Sequence, residues 1–481
     1  MSGRKLLKNS GIYGIVQILQ KCIGLVLIPV YTTLLTPAEK GITDVVTPIV
    51  SFLSILYSLS INSAVIRFYV DYKEDKNKLK EFWGTCIVFV TLNSIALTTI
   101  FIIFRSQLLE PMAKGVDFFP YILLGMISIT LNPIYTIFQS TLQAKEESKV
   151  YAKNNLLYFI VNLALNILFV VVLRIGAVGV LLSLAITDVI FFIYTVIKFI
   201  PRVVLKIKCI YLKQALKYSL PLLPHSLSGW AISMLDRLFL NRYNGLQSPA
   251  IYSTGAQFGN IINVLTTAVN QAYVPWLFQK LKNKEENEKE IVLMSEVLTV
   301  FYAFLAMGMS LFGPEIFKII VDKAYFEGWK VIPLLSFAFV FNGIYYFFVN
   351  PLFYNKKGVK FIAIGTFTGA ILNSILNVIL IPKFDIMGAA TASLISMMIS
   401  CILVYFISVK IEPIKFNVFK LFSIAFIFLG ISMLAFLLEP LSFWTNILIK
   451  MAIVCLVVLA IFLVYRENIM KLVNDIRNKK A

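Results

Sequence analysis

Apolar runs long enough to cross a bilayer as helices, about 20 residues at 1.5 Å rise each, recur along almost the whole chain between short polar stretches. Roughly fourteen can be marked, over 9–35, 42–66, 83–104, 118–142, 154–173, 176–197, 218–241, 249–278, 291–312, 329–354, 361–381, 386–408, 418–437 and 445–465. The pattern predicts an all-α polytopic membrane protein with about 14 transmembrane helices and no soluble domain. The first run follows Arg4, Lys5 and Lys8 as a signal peptide would. It continues to Leu35 without a small-residue cleavage site, so it is expected to stay as the first span.

The chain also matches itself at a shift of about 210 residues. Asn132-Pro133-Ile134-Tyr135 in span four pairs with Asn342-Gly343-Ile344-Tyr345 in span ten, Asn162 and Asn166 with Asn373 and Asn377, and Lys8 and Ser10 with Lys217 and Ser219. The shift covers an even number of spans, so both copies enter the membrane in the same direction. The expected organisation is a six-helix lobe over 1–197, a basic linker over 198–217, a second six-helix lobe over 218–408, and two further spans with a basic tail over 409–481.

Composition sharpens this picture. The 481 residues are 59% hydrophobic and 14% charged, which argues against a soluble fold. The net charge of +19 reports topology rather than nucleic acid, because about 32 of the 44 basic residues fall in alternate loops, as the positive-inside rule requires. Both termini are therefore expected in the cytoplasm. The five cysteines lack a CxxC pair and read as packing thiols. A single histidine, His225, argues against a metal site or a serine-histidine-aspartate set, and the absence of a Gly-Lys dipeptide excludes a Walker A loop. No cofactor is expected.

What remains is polarity inside the spans, where a central charge costs about 2.5–3.5 kcal/mol on insertion scales and needs a bundle interior, a partner or water. Lys21 shares one helical face with Tyr13, Gln17, Gln20 and Gly24. It would face a central cavity or snorkel. Span eight carries Gln257, Asn260, Asn263, Thr267, Asn270 and Gln271 at steps of three and four, a stripe suited to sugar hydroxyls or to neighbouring helices. Gly255 with Gly259, and Gly365 with Gly369, have the spacing of close helix packing. In span seven Pro221 and Pro224 invite a bend and make a candidate gate, and Asp236-Arg237 follows towards the outer end. Asp188 is the deepest acid, a candidate proton carrier or half of an ion pair, and Asp44 and Arg67 stand towards opposite ends of span two. Lys450 lies near enough to the outer surface to snorkel.

Several of these residues sit in familiar surroundings. Ile28-Pro29-Val30-Tyr31-Thr32, Leu35-Thr36-Pro37-Ala38-Glu39 and Gly41, then Asp44, Pro48 and Ala64-Val65-Ile66-Arg67-Phe68, resemble the opening of the Wzx-type polysaccharide flippases. Asp236-Arg237-Leu238-Phe239-Leu240 with Ile251-Tyr252-Ser253 resembles the start of that family's second bundle. Thr33 stands where relatives often have Arg, and Lys40 where an aromatic is common. The resemblance covers nearly the whole length. It implies the multidrug/oligosaccharidyl-lipid/polysaccharide exporter fold, with a cavity lined by spans one, two, seven and eight. It also implies transfer of polyprenyl-diphosphate-linked oligosaccharide to the outer leaflet of a bacterial cell (inner) membrane, for cell-surface polysaccharide biosynthesis.

On this reading Lys21, Arg67 and Arg237 attract the diphosphate, and Gln17, Gln20, Asn260, Asn263, Thr267 and Asn270 meet the sugars. Asp44, Asp188 and Asp236 are candidates for coupling to H+ or Na+. Membrane lipids and polysaccharide-assembly proteins are the expected further partners, with no nucleic acid. The alternatives are an ion-coupled drug or organic-cation antiporter of the same superfamily, which needs acids where span one offers Lys21, and a membrane glycosyltransferase or polymerase, which the short outer loops disfavour. A scaffold role in a polysaccharide-assembly complex is the other alternative.

Overall fold

The computed structural model describes residues 24–355, 359–440 and 442–480, which are helical with no strand among them. The predicted all-α polytopic architecture is observed: ten of the described helices are long and apolar enough to cross a membrane. A short apolar helix, α1 (Gly24–Leu34), leads into α2 (Pro37–Ser58) and α3 (Ile61–Tyr72). Then come α4 (Lys76–Ile103), α5 (Leu123–Ala144), α6 (Ser148–Asn166), α7 (Gly176–Lys198) and α8 (Cys209–Ser219). The second half holds α9 (Leu223–Asn244), α10 (Gln247–Leu281), α11 (Lys284–Leu311), α12 (Gly313–Ile320), α13 (Ile332–Tyr354), α14 (Val359–Ile411), α15 (Val418–Leu438) and α16 (Phe443–Lys480). The end carrying Lys73, Lys198 and Lys282 is called the basic end below, and its opposite the far end.

Local chemistry sets the helix boundaries. In Thr36-Pro37-Ala38-Glu39 the Glu39 carboxylate accepts from the Thr36 N–H (2.9 Å), and the Glu39 N–H donates back to Thr36 Oγ1 (3.3 Å). With Pro37 at the first helical position, this capping box starts α2. Leu59 and Ser60 both adopt positive φ (44° and 54°), which divides span two into α2 and α3. Likewise, α14 is two helices: Asp385, at φ 48°, breaks it between the segments expected as spans eleven and twelve. α9 and α10 are also long, 22 and 35 residues, but their polar faces set them apart from the ten apolar helices.

Three expectations need correction. The linker is not simply a loop, because Cys209–Ser219 forms an amphipathic helix whose Tyr211 packs edge-on against Tyr72 and Phe82. The bend expected at Pro221 and Pro224 falls at the entry to α9 rather than inside it. Pro221 lies in a 3₁₀ turn and Pro224 in the first turn of α9, where a missing N–H costs nothing. Lys450 does not snorkel: it is fully buried and donates to both carboxylate oxygens of Glu315, at 2.9 and 2.8 Å, tying α16 to α12.

Because lipid tails are as apolar as the side chains, close packing and hydrogen bonds hold such helices together. The two GxxxG pairs serve this end. A Cβ on Gly255 would lie 2.0 Å from the Gly328 carbonyl oxygen, and one on Gly369 would lie 2.4 Å from Ser400 Oγ. The buried apolar residues form three clusters, the largest almost wholly in the second half, where Phe337, Phe341, Phe347 and Phe348 of α13 are sealed among α10, α11, α14 and α15.

Removing one partner of the buried pair leaves the other charge unpaired, at a cost of about 3–5 kcal/mol. Lys450→Met should therefore lower the thermal midpoint in detergent sharply, and adding Glu315→Gln should recover much of the loss.

Candidate functional site

The site is built on α9 and α10, the helices with the most polar faces. Asp236 is 3% exposed and has no cation bonded to it among the described residues. Its carboxylate accepts from Tyr252 Oη (2.7 Å), Ser393 Oγ (3.0 Å) and Asn377 Nδ2 (2.6 Å). One carboxyl group thereby joins α9, α10 and both arms of α14. Arg237, the next residue, points elsewhere: its Nε donates to Ser253 Oγ (2.7 Å) and its Nη1 to the Ser233 carbonyl (3.1 Å).

Beside them is a cavity of about 310 Å³ lined by Asp236, Arg237, Gln257, Asn260, Asn263 and Asn342, with apolar residues of α13 and α14. The amides are linked in a row, Asn263 donating to Asn260 (2.9 Å) and Asn342 to Asn263 (3.4 Å). Gln257 Oε1 is buried with no hydrogen-bond partner among the described residues, and a Cβ on Gly24 of α1 would come within 3.2 Å of it. Gly24, the first described residue of span one, thus lies beside this cavity. Lys21, Gln17 and Gln20 lie outside the described residues.

The other predicted residues are dispersed. Thr267 and Asn270 are not among the cavity's lining, and Asn270 accepts from Asn350 Nδ2 of α13 (2.8 Å), a helix-to-helix bond. Arg67 is half exposed at the basic end and bonded to Asp71 (3.1 and 3.2 Å), so it does not join Arg237. Asp44 is paired with Lys40 at 2.5 Å, and Lys40 is buried. Asp188 forms no ion pair among the described residues. It accepts from Ser128 Oγ, from Asn132 Nδ2 (2.7 Å) and from Tyr158 Oη (3.0 Å), joining α7 to α5 and α6.

The two halves repeat this wiring. Asn162 donates to Thr187 Oγ1 (3.3 Å) as Asn373 does to Ser393 Oγ (3.4 Å), and Asn166 donates to Asn162 Oδ1 (3.1 Å) as Asn377 does to Asn373 Oδ1 (3.0 Å). Sequence reasoning found the asparagines. It quoted Tyr252 and Ser253 only within a family motif, without a role, and missed Ser393, a common residue type with no spacing signal.

The halves meet between the far end and mid-depth. The Asp322 N–H donates to Thr32 Oγ1 (3.4 Å), Tyr325 Oη to the Leu35 carbonyl (2.8 Å), and Trp230 Nε1 to the Pro48 carbonyl (2.9 Å). Gly41 lets α2 approach the turn before α10 so closely that a Cβ there would lie 1.8 Å from the Leu246 carbonyl oxygen. Tyr31, beside Thr32, donates to Asn166 Oδ1 (2.7 Å).

A family model described as polysaccharide biosynthesis protein matches residues 6–281. The chain belongs to that family. Among curated relatives, an uncharacterized membrane protein of Haemophilus influenzae is 30% identical over 170 residues, 33% of this chain and 41% of that protein. The succinoglycan biosynthesis transport protein ExoT of Rhizobium meliloti is 20% identical over 70% of this chain and 65% of its own. The probable low-salt glycan biosynthesis flippase Agl15 of Haloferax volcanii is 26% identical over 37% of this chain and 38% of its own. The matched regions thus span less than two thirds of these relatives' lengths. The fold is similar to that of the lipid II flippase MurJ in an inward closed conformation, with a TM-score of 0.74, 17% identity, and coverage of 95% of this chain and 99% of that one. An outward-facing MATE multidrug resistance transporter is similar at a TM-score of 0.58 and 16% identity, over 85% of this chain and 96% of its own. The family member is thus a multi-pass helical membrane protein with the exporter fold expected from its sequence.

Asp236→Ala would strand three donors, two of them buried, at about 1–3 kcal/mol for each buried one, whereas Asp236→Asn keeps an acceptor. Thermal unfolding in detergent should show a large loss for Ala and a smaller one for Asn, and Asp188 should repeat the order.

Proposed function

We propose that this family member is a flippase, carrying polyprenyl-diphosphate-linked oligosaccharide from the cytoplasmic to the outer leaflet of a bacterial cell membrane. The observation that carries the reading is the cavity beside Arg237: a guanidinium on one wall, a row of amides on the other, in a bundle tied together from mid-depth to the far end. A guanidinium attracts a diphosphate strongly where water is scarce, and amides supply both donors and acceptors for sugar hydroxyls. Family membership, the transport and flippase names of the relatives, and the likeness to MurJ support the same reading.

Transport would proceed by alternating access of two lobes, residues 1–197 and 218–408, with the basic end and both termini in the cytoplasm. Opening at the far end would require release of the Thr32, Leu35 and Pro48 bonds. Lys21, three residues before Gly24 in the sequence, would add a second cation near Arg237, and Arg67 would greet the diphosphate at the cytoplasmic mouth. The pocket-lining Asn260 and Asn263 would meet sugars, with Thr267 and Asn270 further along the path, and Gln17 and Gln20 across from them. Coupling to H+ or Na+ through Asp44, Asp188 or Asp236 would operate only when their present bonds break. The turn at Pro221 and Pro224 would serve as the pivot through which α9 moves.

The antiporter alternative is favoured by the likeness to MATE transporters and by Asp236 in the cavity wall. It is opposed by the state of that carboxylate. Three neutral donors already satisfy it, which leaves little for an organic cation.

In liposomes, wild type should speed translocation of a fluorescent polyprenyl-diphosphate oligosaccharide, and Arg237→Glu or Lys21→Glu should slow it by about tenfold or more, since each reverses a charge facing the diphosphate. Transport of a cationic dye without glycolipid movement would favour the antiporter instead.

A further inference from the structure

A second cavity, of about 720 Å³, lies at the basic end of the first half, away from Arg237. It forms where the start of α4, the end of α5 and the segment after α7 converge. Six cations line it, Lys73, Lys76, Lys80, Lys145, Lys198 and Arg202, against the single carboxylate of Glu147. Among the described residues Lys76, Lys80, Lys198 and Arg202 form no ion pair, and Lys73 reaches only its neighbour Glu74, at 3.8 Å. Other lysines at this end are matched: Lys208 with Glu81 (2.6 Å), Lys280 with Glu290 (2.6 Å) and Lys284 with Glu412 (3.0 Å). Four cations that form no ion pair among the described residues are therefore gathered in one concave place.

The cavity floor adds an independent observation. Trp83 lines it, is 3% exposed, and has an Nε1–H buried with no acceptor among the described residues, while Lys145 Nζ stands 5.0 Å from the ring centroid. A buried donor without a partner costs free energy that an incoming acceptor would recover. Like charges brought together from separate segments repel one another, a cost that an anion among them offsets. The volume lies within the range of pockets that hold small molecules.

We infer that this cavity is a binding site for a phosphate-bearing anion, separate from the cavity at Arg237. Lysine point charges, the arginine fork and the indole N–H match phosphate oxygens, and the aromatic floor with cations at the helix ends is the arrangement found at headgroup depth. The same chemistry is offered by the headgroup of an anionic membrane lipid and by a soluble phosphate. Occupancy would also reach the connector between the halves. The segment after Arg202 is strapped to α4 by Val204 N–H to the Lys80 carbonyl (3.2 Å) and Thr85 Oγ1 to the Lys206 carbonyl (2.8 Å), and it leads into α8.

The test uses the purified full-length protein, with tryptophan fluorescence and thermal shift as readouts. One arm titrates inorganic pyrophosphate in neutral detergent. The other compares nanodiscs of phosphatidylglycerol with nanodiscs of phosphatidylcholine. Lys80→Glu/Lys198→Glu should weaken the response by about tenfold through loss of charge complementarity, and Lys114→Glu/Lys323→Glu, the same change at the far end, should leave it unaltered. Trp83→Phe should abolish the fluorescence change while the thermal shift persists. A pyrophosphate response with this pattern identifies a soluble ligand, and a response to phosphatidylglycerol alone identifies a lipid headgroup. Silence in both arms, or equal weakening by the far-end control, would overturn the inference. Because the first double substitution relieves repulsion, it should not lower the melting midpoint, so loss of binding is distinguishable from misfolding.

Discussion

Polar groups among membrane helices have no water to turn to, so each must be satisfied by the protein itself, and this constraint shapes the whole bundle. Its clearest expression is a pair of buried carboxylates, Asp188 and Asp236, each surrounded by three neutral donors from neighbouring helices. The asparagine pairs at 162 and 166 and at 373 and 377 extend both networks in the same pattern. Helix packing follows from where these knots can be tied. α9 and α10, long helices outside the ten apolar spans, are held in place by them and left with one polar side facing a cavity.

The second determinant is the seam between the halves. Its residues come from short motifs near the far end: Tyr31 bonds within the first half while Thr32 bonds across to Asp322, and Gly41 admits the backbone at Leu246. These hydrogen bonds and the close backbone approach are each modest in energy, and apolar packing such as Phe52 against Trp230, ring centroids 5.0 Å apart, accompanies them. The buried pairs at Asp188, Asp236 and Lys450 lie within a half and would persist through such a motion. The proposed transport cycle requires that these networks inside each half hold while the seam gives way.

Much of the fold was legible because hydrophobic run length is a strong signal in a membrane protein, and the repeat was legible because its asparagines stand in apolar surroundings. Boundaries within runs were less so. Nothing in Leu59-Ser60 or Asp385 announces a positive φ, and a bonded Lys450 looks like a snorkelling one until Glu315, far away in the chain, is placed beside it. At the site, Asp236, Arg237, Asn260 and Asn263 were found as polar outliers and do share one cavity. Arg67 was grouped with them by type alone, and its local partner Asp71, four residues on, was the overlooked signal. Thr36 and Glu39 were likewise quoted as a motif without being read as a capping box, although their three-residue spacing carries that information.

The central claim is that the two halves exchange the far-end seam for closure at the basic end when a lipid-linked glycan passes. Distances between spin labels test it most directly, in a background with the five native cysteines replaced. One pair would sit at Lys114 and Lys323 across the far end, the other at Lys78 and Lys289 across the basic end, all four being exposed. Addition of a polyprenyl-diphosphate oligosaccharide should lengthen the first distance and shorten the second. Translocation of that glycolipid with both distances unchanged, or with both moving in the same direction, would contradict the account.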